Sequence, residues 1–307
     1  MGKPIVILGV FVADTAYRAQ RPPRMGETVL GSGFKLGPGG KGSNQAVAAA
    51  RLGCEVSFIT RLGRDPFAEM ALKTWREAGV VPAVIETPES YTGAAYIFVE
   101  EGTGNNAIIV CPGAAMLLSA EDIDAKADLI RSAGVFVTQL EQPIEAALSA
   151  LRIAREARVT TILNPAPAAE LPAEIFALCD YATPNETEAE QLTGIRVVSK
   201  ADAERAAAAL LDKGVGAAVI TLGEKGALLH DGRQARHVPA FNAGPVVETT
   251  GAGDAFNGGF AVGLASGRSP EEAVRFGCAV AAISVTRPGT APSMPSLAEV
   301  EALLAGS

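Results

Sequence analysis

Short apolar runs alternate along this chain with segments whose apolar residues recur at helical spacing. The runs IVILGV (5–10), VSFIT (56–60), VFVTQLE (135–141), TTILNPA (160–166), YATPN (181–185) and AAVITLG (217–223) predict strands. Between them lie predicted helices: GSNQAVAAARLG, DPFAEMALKTWREAG with Asp65 as N-cap and Pro66 in its first turn, the segment 121–132, IEAALSALRIAREA, and SKADAERAAAALLDKG capped by Ser199. Val246 and Val247 read as the end of one more strand, followed by a buried helix over 255–264. Strand and helix in alternation predict an α/β fold, with a parallel sheet covered by helices on both faces. In such sheets ligands sit beyond the carboxyl ends of the strands, so the informative residues are those just after each strand.

Two stretches break this rhythm. ETVLGSGFKLG (27–37) and TGAAYIFVEEGTGNNAIIVCPGAA (92–115) contain strand-like runs with no helix between them, and the second reads as a hairpin turning near 102–105. They predict a small β-sheet excursion, roughly 12–37 with 92–115, from one domain that takes in residues 1–307. Such a sheet has an apolar face that its own sequence does not cover. It is expected to close over a ligand, to pack against a second copy of the chain, or both; an edge extension of the main sheet is the alternative. No internal repeat, low-complexity tract or linker marks a further domain.

Composition narrows the function. With 307 residues, 48% of them hydrophobic, the chain can bury a large core, and a formal net charge of −8 argues against nucleic acid as the main partner. An enzyme of small molecules is expected. The opening MGKPIVILGV has only a short apolar run, less than a signal peptide or membrane span needs, so a cytoplasmic protein with no membrane partner is expected. Cys54, Cys111, Cys179 and Cys278 show no CxxC spacing and read as reduced, mostly buried thiols. His230 and His237 flank a DGRQ turn with no metal-ligand partner in sequence, which favours a surface or packing role and disfavours a Ser-His-Asp hydrolase.

The glycine clusters carry the chemistry. LGPGGKGSNQAVAAARLG (36–53) holds Gly37, Gly39 and Gly42 in GxGxxG spacing, which raises the reading of an NAD-binding oxidoreductase. That motif belongs directly after the first strand, whereas here the strand ends near Gly9, Asp14 follows, and the glycines come almost thirty residues later. Lys35 and Gly42 also occupy positions where a Walker A loop needs glycine and Ser or Thr. The alternative is a backbone loop close to a polyhydroxyl substrate, with Asn44 offering both a donor and an acceptor. In ETTGAGDAFNGGF (248–260) a glycine-rich turn leads into a helix starting near Gly253, whose free N–H groups and dipole form an anion hole suited to a phosphoryl group. A tight turn for helix packing would use the same residues. Asp254 separates the two readings, because a carboxylate among free amides can take a proton from a hydroxyl nucleophile.

Taken together, GGKGSNQAVAAARLG and ETTGAGDAFNGGF resemble the two signature motifs of the ribokinase (PfkB-type) carbohydrate kinases. LNPAPAAELP (163–172), TPNETEAEQLTG (183–194), VITLGEKGALL (219–229) and VTRPGTAPSMP (285–295) extend the resemblance, in order, over the whole chain. The resemblance implies a ribokinase-like three-layer α/β sandwich, with a central, mostly parallel sheet and a small β-sheet lid that also makes a homodimer contact. It implies transfer of the γ-phosphate of MgATP to a hydroxymethyl group of a pentose, ribose to ribose 5-phosphate in the first instance, with another furanose or a nucleoside as the alternative.

Carried across by motif, Asp254 would be the general base, and the amides of Ala252, Gly253 and Asp254 would hold the γ-phosphate. Asp14, Gly40, Lys41, Asn44 and Glu141 would bind the sugar. Asn185 and Glu188 would position the phosphates and water-bound Mg²⁺, although a plain helix start explains that pair as well. Thr221, Gly223, Glu224, Lys225 and Gly226 would line the nucleotide cleft together with Gly253. A monovalent cation, K⁺, would be held mostly by backbone oxygens at Glu248, Thr250, Ser284, Arg287, Gly289 and Ser293. Two positions depart from the family pattern: Val12 stands where an asparagine is usual, and Glu248 where an aspartate is.

Overall fold

The computed structural model describes residues 2–306. In chain order the strands are β1 (Ile5–Leu8), β2 (Val12–Ala19), β3 (Gly33–Gly39), β4 (Val56–Leu62), β5 (Val80–Glu86), β6 (Thr92–Glu100), β7 (Asn106–Gly113), β8 (Val135–Thr138), β9 (Thr160–Leu163), β10 (Tyr181–Ala182), β11 (Ala217–Thr221), β12 (Ala227–His230) and β13 (Ala235–Val238). The α-helices are α1 (Lys41–Arg51), α2 (Pro66–Ala78), α3 (Ala120–Asp124), α4 (Ala127–Arg131), α5 (Ile144–Glu156), α6 (Glu174–Ala177), α7 (Glu186–Thr193), α8 (Lys200–Asp212), α9 (Ala252–Ala265), α10 (Pro270–Ser284) and α11 (Leu297–Ala305).

Strand β1 is wholly aliphatic because both its faces are covered. It lies inside a nine-stranded sheet of order β13-β12-β11-β10-β9-β8-β1-β4-β5, parallel from β5 to β11 and antiparallel beyond. Alternate residues feed two cores. Ile5 and Ile7 join the side chains of α1, α2, α9, α10 and α11, whereas Val6 and Leu8 join those of α3 to α8. The result is the three-layer α/β/α arrangement that the alternation predicts.

The expected strands are present; β4 runs two residues past the expected 56–60, and several others are shorter at their carboxyl ends. In the runs 135–141, 160–166 and 181–185 the continuous strands end at Thr138, Leu163 and Ala182; beyond them Asn164 and Thr183 keep single backbone bonds to Thr138 and Leu163, and Asn185 an isolated bridge to Thr221, at the edge of the cleft. The helix expected over 121–132 is two short helices, because Lys126 leaves helical geometry and its N–H closes a tighter bond to the Ile123 carbonyl at 2.9 Å. The break still buries both Ile123 and Ile130. Val246 and Val247 are not a strand: both are exposed, and the N–H groups of Val247 and Glu248 share the carbonyl of Val285. Strand β5, unforeseen in the sequence, carries Pro82, which the sheet edge tolerates because half of an edge strand's N–H groups need no partner. Of the four thiols only Cys179 and Cys278 are buried, and Cys111 is exposed on β7.

A second sheet of four strands, order β3-β2-β6-β7, stands off the main one. Its register places Asp14, Ala16, Lys35, Ile97 and Ile108 on one face and Tyr17, Phe34, Leu36, Tyr96 and Ile109 on the other. The first face looks onto a cavity. On the second, Tyr17 packs against Phe34 and Tyr96 with ring centroids 5.1 and 5.5 Å apart, and all five side chains remain exposed. Among the described residues no helix is long and apolar enough to cross a membrane.

Candidate active site

The turns that follow β1, β8, β9, β10 and β11 meet the N-termini of α1 and α9 at the carboxyl edge of the main sheet, the edge where open α/β sheets bind ligands. Helix α9 begins after Gly251, which adopts φ +81°, and no side chain caps the free N–H groups of its first turn. Space is open where a Gly253 side chain would project. The Ala252 N–H is engaged by the Thr249 carbonyl at 3.1 Å, so the expected anion hole reduces to the amides of Gly253 and Asp254.

Asp254 is 6% exposed, and each of its oxygens is held by an amide of α1: Asn44 Nδ2 donates to Oδ2 at 2.9 Å, and Gln45 Nε2 to Oδ1 at 3.2 Å. Burial pushes its pKa above the ordinary carboxylate value, against the Lys41 charge and these two hydrogen bonds. Two more sequence-predicted acids share this environment. Asp14 is raised to about 6 by burial and by the fields of Asp254 and Glu248, opposed by Lys35. Glu141 is raised to about 7 by burial, although the Lys41 charge and the Lys41 backbone N–H, which donates to it at 2.8 Å, pull the other way. For Lys41, burial alone would lower the pKa, but Asp254, Glu141 and Glu188 hold the ammonium above its usual value.

The glycines of 37–42 have their reason here. A Cβ at Gly39 would lie 2.3 Å from an Asp14 carboxylate oxygen, and Gly40, at φ +89°, presses on the Val10 carbonyl. Gly42 belongs to α1 rather than to a turn after β1, and a Cβ there would meet both Gly9 Cα and Gln139 Oε1 at 2.8 Å. Gly39, Gly40 and Gly42 clear protein atoms, whereas a Cβ at Gly37 would meet nothing within 4 Å, so the GxGxxG spacing is no mark of a dinucleotide site.

Two cavities adjoin this cluster. One, of about 160 Å³, is lined by Lys41, Asn185, Glu188, Thr221, Gly253 and Asp254, among others. The second, of about 590 Å³, lies under the small sheet, where Asp14, Lys35 and Ile97 face Glu248, Thr250 and Gly289. Asn185 and Glu188 form a reciprocal capping box at the start of α7, each side chain accepting from the other's backbone N–H, at 2.8 and 2.9 Å. One Glu188 oxygen is thereby used, and burial raises its pKa. Gly223, Glu224 and Lys225 form an exposed turn beyond Thr221, followed by buried Gly226. His237 donates from Nε2 to the Lys225 carbonyl at 2.7 Å, a packing role.

Of the residues assigned to a monovalent cation, Glu248, Thr250 and Gly289 come together at the second cavity, with Glu248 accepting from the Gly289 N–H at 2.8 Å. Ser284, Arg287 and Ser293 do not line it. The Ser284 and Ser293 hydroxyls donate to the carbonyls of Ala281 and Thr290, and the Arg287 guanidinium pairs with Glu299. Val12 is 4% exposed and shares a face of β2 with Asp14, two residues away.

Sequence reasoning missed a second layer of polar groups. Gln139 Nε2 donates to Gln45 Oε1 at 2.7 Å, Gln45 Nε2 to Asn164 Oδ1 at 3.1 Å, and Asn164 Nδ2 to the Thr183 carbonyl at 3.1 Å. The Thr183 hydroxyl donates to Asn257 Oδ1 at 2.6 Å, and Asn257 Nδ2 donates to the Gly253 carbonyl at 2.8 Å. Gln45 and Asn164 lie inside motifs already quoted; no spacing rule marks their connection.

An open helix end binds phosphate, and a buried carboxylate beside it takes a proton from an alcohol; the two are the halves of phosphoryl transfer to a hydroxyl. The class so defined is a phosphotransferase that acts on a sugar hydroxyl, and comparison with known proteins makes it particular. The chain belongs to the pfkB family of carbohydrate kinases, whose family profile matches residues 4–297. It is 39% identical to a ribokinase of Haemophilus influenzae, covering 97% of each chain, and 39% identical to a deoxyribokinase of Salmonella typhi, covering 95% and 96%. Its structure matches an Arabidopsis thaliana ribokinase complexed with ribose and ATP at a TM-score of 0.95, with 32% identity and 99% of both chains covered.

The raised acids predict a pH response. If Asp14 and Glu141 receive hydroxyl hydrogens of an acceptor, they have their full acceptor capacity only when ionised, and their pKa values of about 6 and 7 bring protonation close to neutrality. Acceptor kcat/KM is therefore expected to fall as pH drops through 7 to 6 and to level off above. An acid limb near 4, the ordinary carboxylate range of about 4, would contradict these environments.

Proposed function

We propose that the protein is an ATP-dependent ribose kinase, passing the γ-phosphate of ATP to the hydroxymethyl oxygen of the pentose. The observation that carries this reading is Asp254: nine-tenths buried, gripped on both oxygens, and placed in the open first turn of α9. Asp254 takes the proton of the hydroxymethyl group as its oxygen forms a bond to the γ-phosphorus and the bond to the ADP oxygen breaks. The Gly253 and Asp254 amides and the α9 dipole stabilise the charge spreading over the transferred group. Asp14, Asn44 and Glu141 orient the sugar hydroxyls, with Gly40 and Lys41 supplying close backbone.

Mg²⁺ on ATP supplies charge neutralisation when bound. The chemistry of this end of the cleft fits it: Glu188 keeps one oxygen free of its capping box and faces the same small cavity as Asn185, which suits a hydrated ion held through water. Thr221 and the 223–226 turn form the wall for the rest of the nucleotide. K⁺ is assigned to Glu248, Thr250 and Gly289, which meet at the second cavity, with Ser284, Arg287 and Ser293 left to contribute backbone oxygens only; Glu248 already orders the loop by holding the Gly289 amide. The small sheet is the lid of one domain, its outer apolar face covered by the lid of a second copy, and the ATP supply places the enzyme in the cytoplasm.

The experiment on the central claim is Asp254→Asn, which is expected to keep ATP binding and lower turnover by about 10²- to 10⁴-fold. Near-native turnover would sink the assignment.

Val12 bears on which pentose. A ribose hydroxyl that faces this apolar side chain lacks a partner, a loss of about 1–3 kcal/mol or roughly ten- to two-hundredfold in selectivity. The enzyme is expected to use 2-deoxyribose comparably with ribose, and Val12→Asn to raise kcat/KM for ribose relative to the deoxy sugar. An unchanged ratio would place Val12 outside sugar recognition.

For the lid, light scattering on the wild-type protein is expected to give the mass of a dimer. Ile109, 62% exposed on the outer face, is the place to break it. Ile109→Glu should halve the mass with the fold intact; a monomeric wild type would contradict the pairing.

A further inference from the structure

Asn44 and Gln45 are consecutive on α1 and so point about 100° apart around its axis, yet both reach Asp254, one on each oxygen. They differ in what they leave free. Asn44 Oδ1 is buried without a partner, a polar atom left over for a ligand beside Asp254. Gln45 has nothing left over: it is 0% exposed, its amide nitrogen donates to Asp254 and Asn164, and its oxygen accepts from Gln139. Turning that amide over would set its oxygen against the acceptors of Asp254 and Asn164, so its orientation is fixed. It lines neither cavity of the site.

We propose that Gln45 is the positioning residue of the general base, locking the plane of the Asp254 carboxylate through a line of buried side-chain amides that begins at Gln139. The inference rests on the kinase reading of Asp254 given above. The line is built into the backbone. Gly9 and Gly42 are bare where the Gln139 amide passes, since a Cβ at either would lie 2.4 or 2.8 Å from Gln139 Oε1. The other end of the network closes on the Gly253 carbonyl through Asn257, so the base and the turn that carries the phosphate amides are tied to the same amides. A carboxylate with one donor on each oxygen cannot rotate without losing a bond, and its remaining lone pairs are aimed before substrate arrives. The donors also favour the ionised form that abstracts the proton.

The charged groups that share Asp254's surroundings are Lys41 on α1, Asp14 on β2, Glu141 beyond β8 and Glu188 on α7. None of these four is hydrogen-bonded to Gln45, whose partners are Asp254, Asn164 and Gln139, so its own effect is read as the difference from wild type. The test is kcat and the sugar KM against pH, at saturating ATP, for Gln45→Met and Gln45→Glu. Gln45→Met keeps the length and removes the donor: kcat at pH 7 is expected to drop about ten- to a hundredfold, with the acid limb of kcat moved up by about one unit. The sugar KM should stay within about threefold, because Gln45 does not line the sugar pocket. Gln45→Glu keeps the shape but sets a second carboxyl beside Oδ1, and should move the limb further up. Gln139→Leu, one step back along the line, should give a smaller shift in the same direction.

Gln45→Met with the wild-type kcat and acid limb would overturn the proposal, as would variants that raise KM and leave the limb unmoved. Asp254→Asn run in parallel separates the two layers. If it is inactive while Gln45→Met matches wild type, the positioning role alone falls; if the wild-type protein phosphorylates no pentose, the kinase reading falls and takes this one with it.

Discussion

An aspartate taken out of water gives up its charge unless the surrounding atoms replace what water did, and, on the proposed reading of Asp254 as a base, the packing around it follows from keeping it usable as one. Three groups on one helix do the replacing: the Lys41 ammonium at the start of α1, then the Asn44 and Gln45 amides on its first turns. For those side chains to reach Asp254, α1 and α9 must lie unusually close. The second half of ETTGAGDAFNGGF makes that approach possible: a Cβ at Gly258 would fall 2.6 Å from the Ala48 Cβ and 2.9 Å from the Gln45 carbonyl. On its other side α9 meets α10 in the same way, with Gly259 against Gly277 and Gly263 against Ala273. The small residues that look like punctuation in the sequence are contact surface in the fold. Their helix-destabilising cost, about 0.5–1 kcal/mol for each glycine, is accepted where a base must be gripped from a neighbouring helix.

The same proximity gathers like charges. Asp14, Glu141, Glu188 and Asp254 sit near the Lys41 ammonium, with Lys35 also close to Asp14; Asp254 raises the proton affinity of the other three acids, and Asp14 that of Glu141. Such a cluster opposes folding when fully ionised, yet it has one clear use: a polyhydroxyl acceptor brings several O–H donors at once and relieves the excess of acceptors. On the proposed reading, repulsion among these acids would be converted into affinity for a sugar over a ligand with fewer hydroxyls.

What was legible in the sequence divides along the line between local and non-local physics. Strands buried on both faces leave unbroken aliphatic runs, so the sheet and its flanking helices could be located; their carboxyl ends could not, because past Thr138, Leu163 and Ala182 the pairing thins to single bonds while the side chains of Gln139, Asn164 and Thr183 join the polar network. Pro82 hid β5, since a proline argues against a strand until the strand is known to be an edge. The exposed pair Val246 and Val247 misled for the opposite reason, apolar character without burial. At the site, Asp254, Asn44 and the glycine turns were readable because each motif is contiguous. The amide line was not: Gln45 meets Asn164 across 119 residues and Asp254 across 209, and no periodicity connects them.

The small sheet is less independent of this centre than its separate ladder implies. Thr290 lies against Gly251, the N-cap of α9, and its hydroxyl donates to the Pro38 carbonyl on β3 at 2.8 Å. Pro38 adjoins Gly39, which abuts the Asp14 carboxylate, and Lys35 on the same strand extends to within 3.7 Å of the space beside Gly289, whose amide Glu248 holds. Arg51, at the end of α1, donates to the carbonyls of Pro292 and Met294 and anchors the far side of that loop. One short stretch, 289–294, thus touches the helix that carries Asp254, the helix that grips it, and the strand that frames Asp14. A movement of the small sheet toward the cleft must pass through Pro38 and Thr290, so it would reach Asp14 and the turn before α9 together. On the proposed reading, enclosure of the acceptor and alignment of the base would then follow from one displacement.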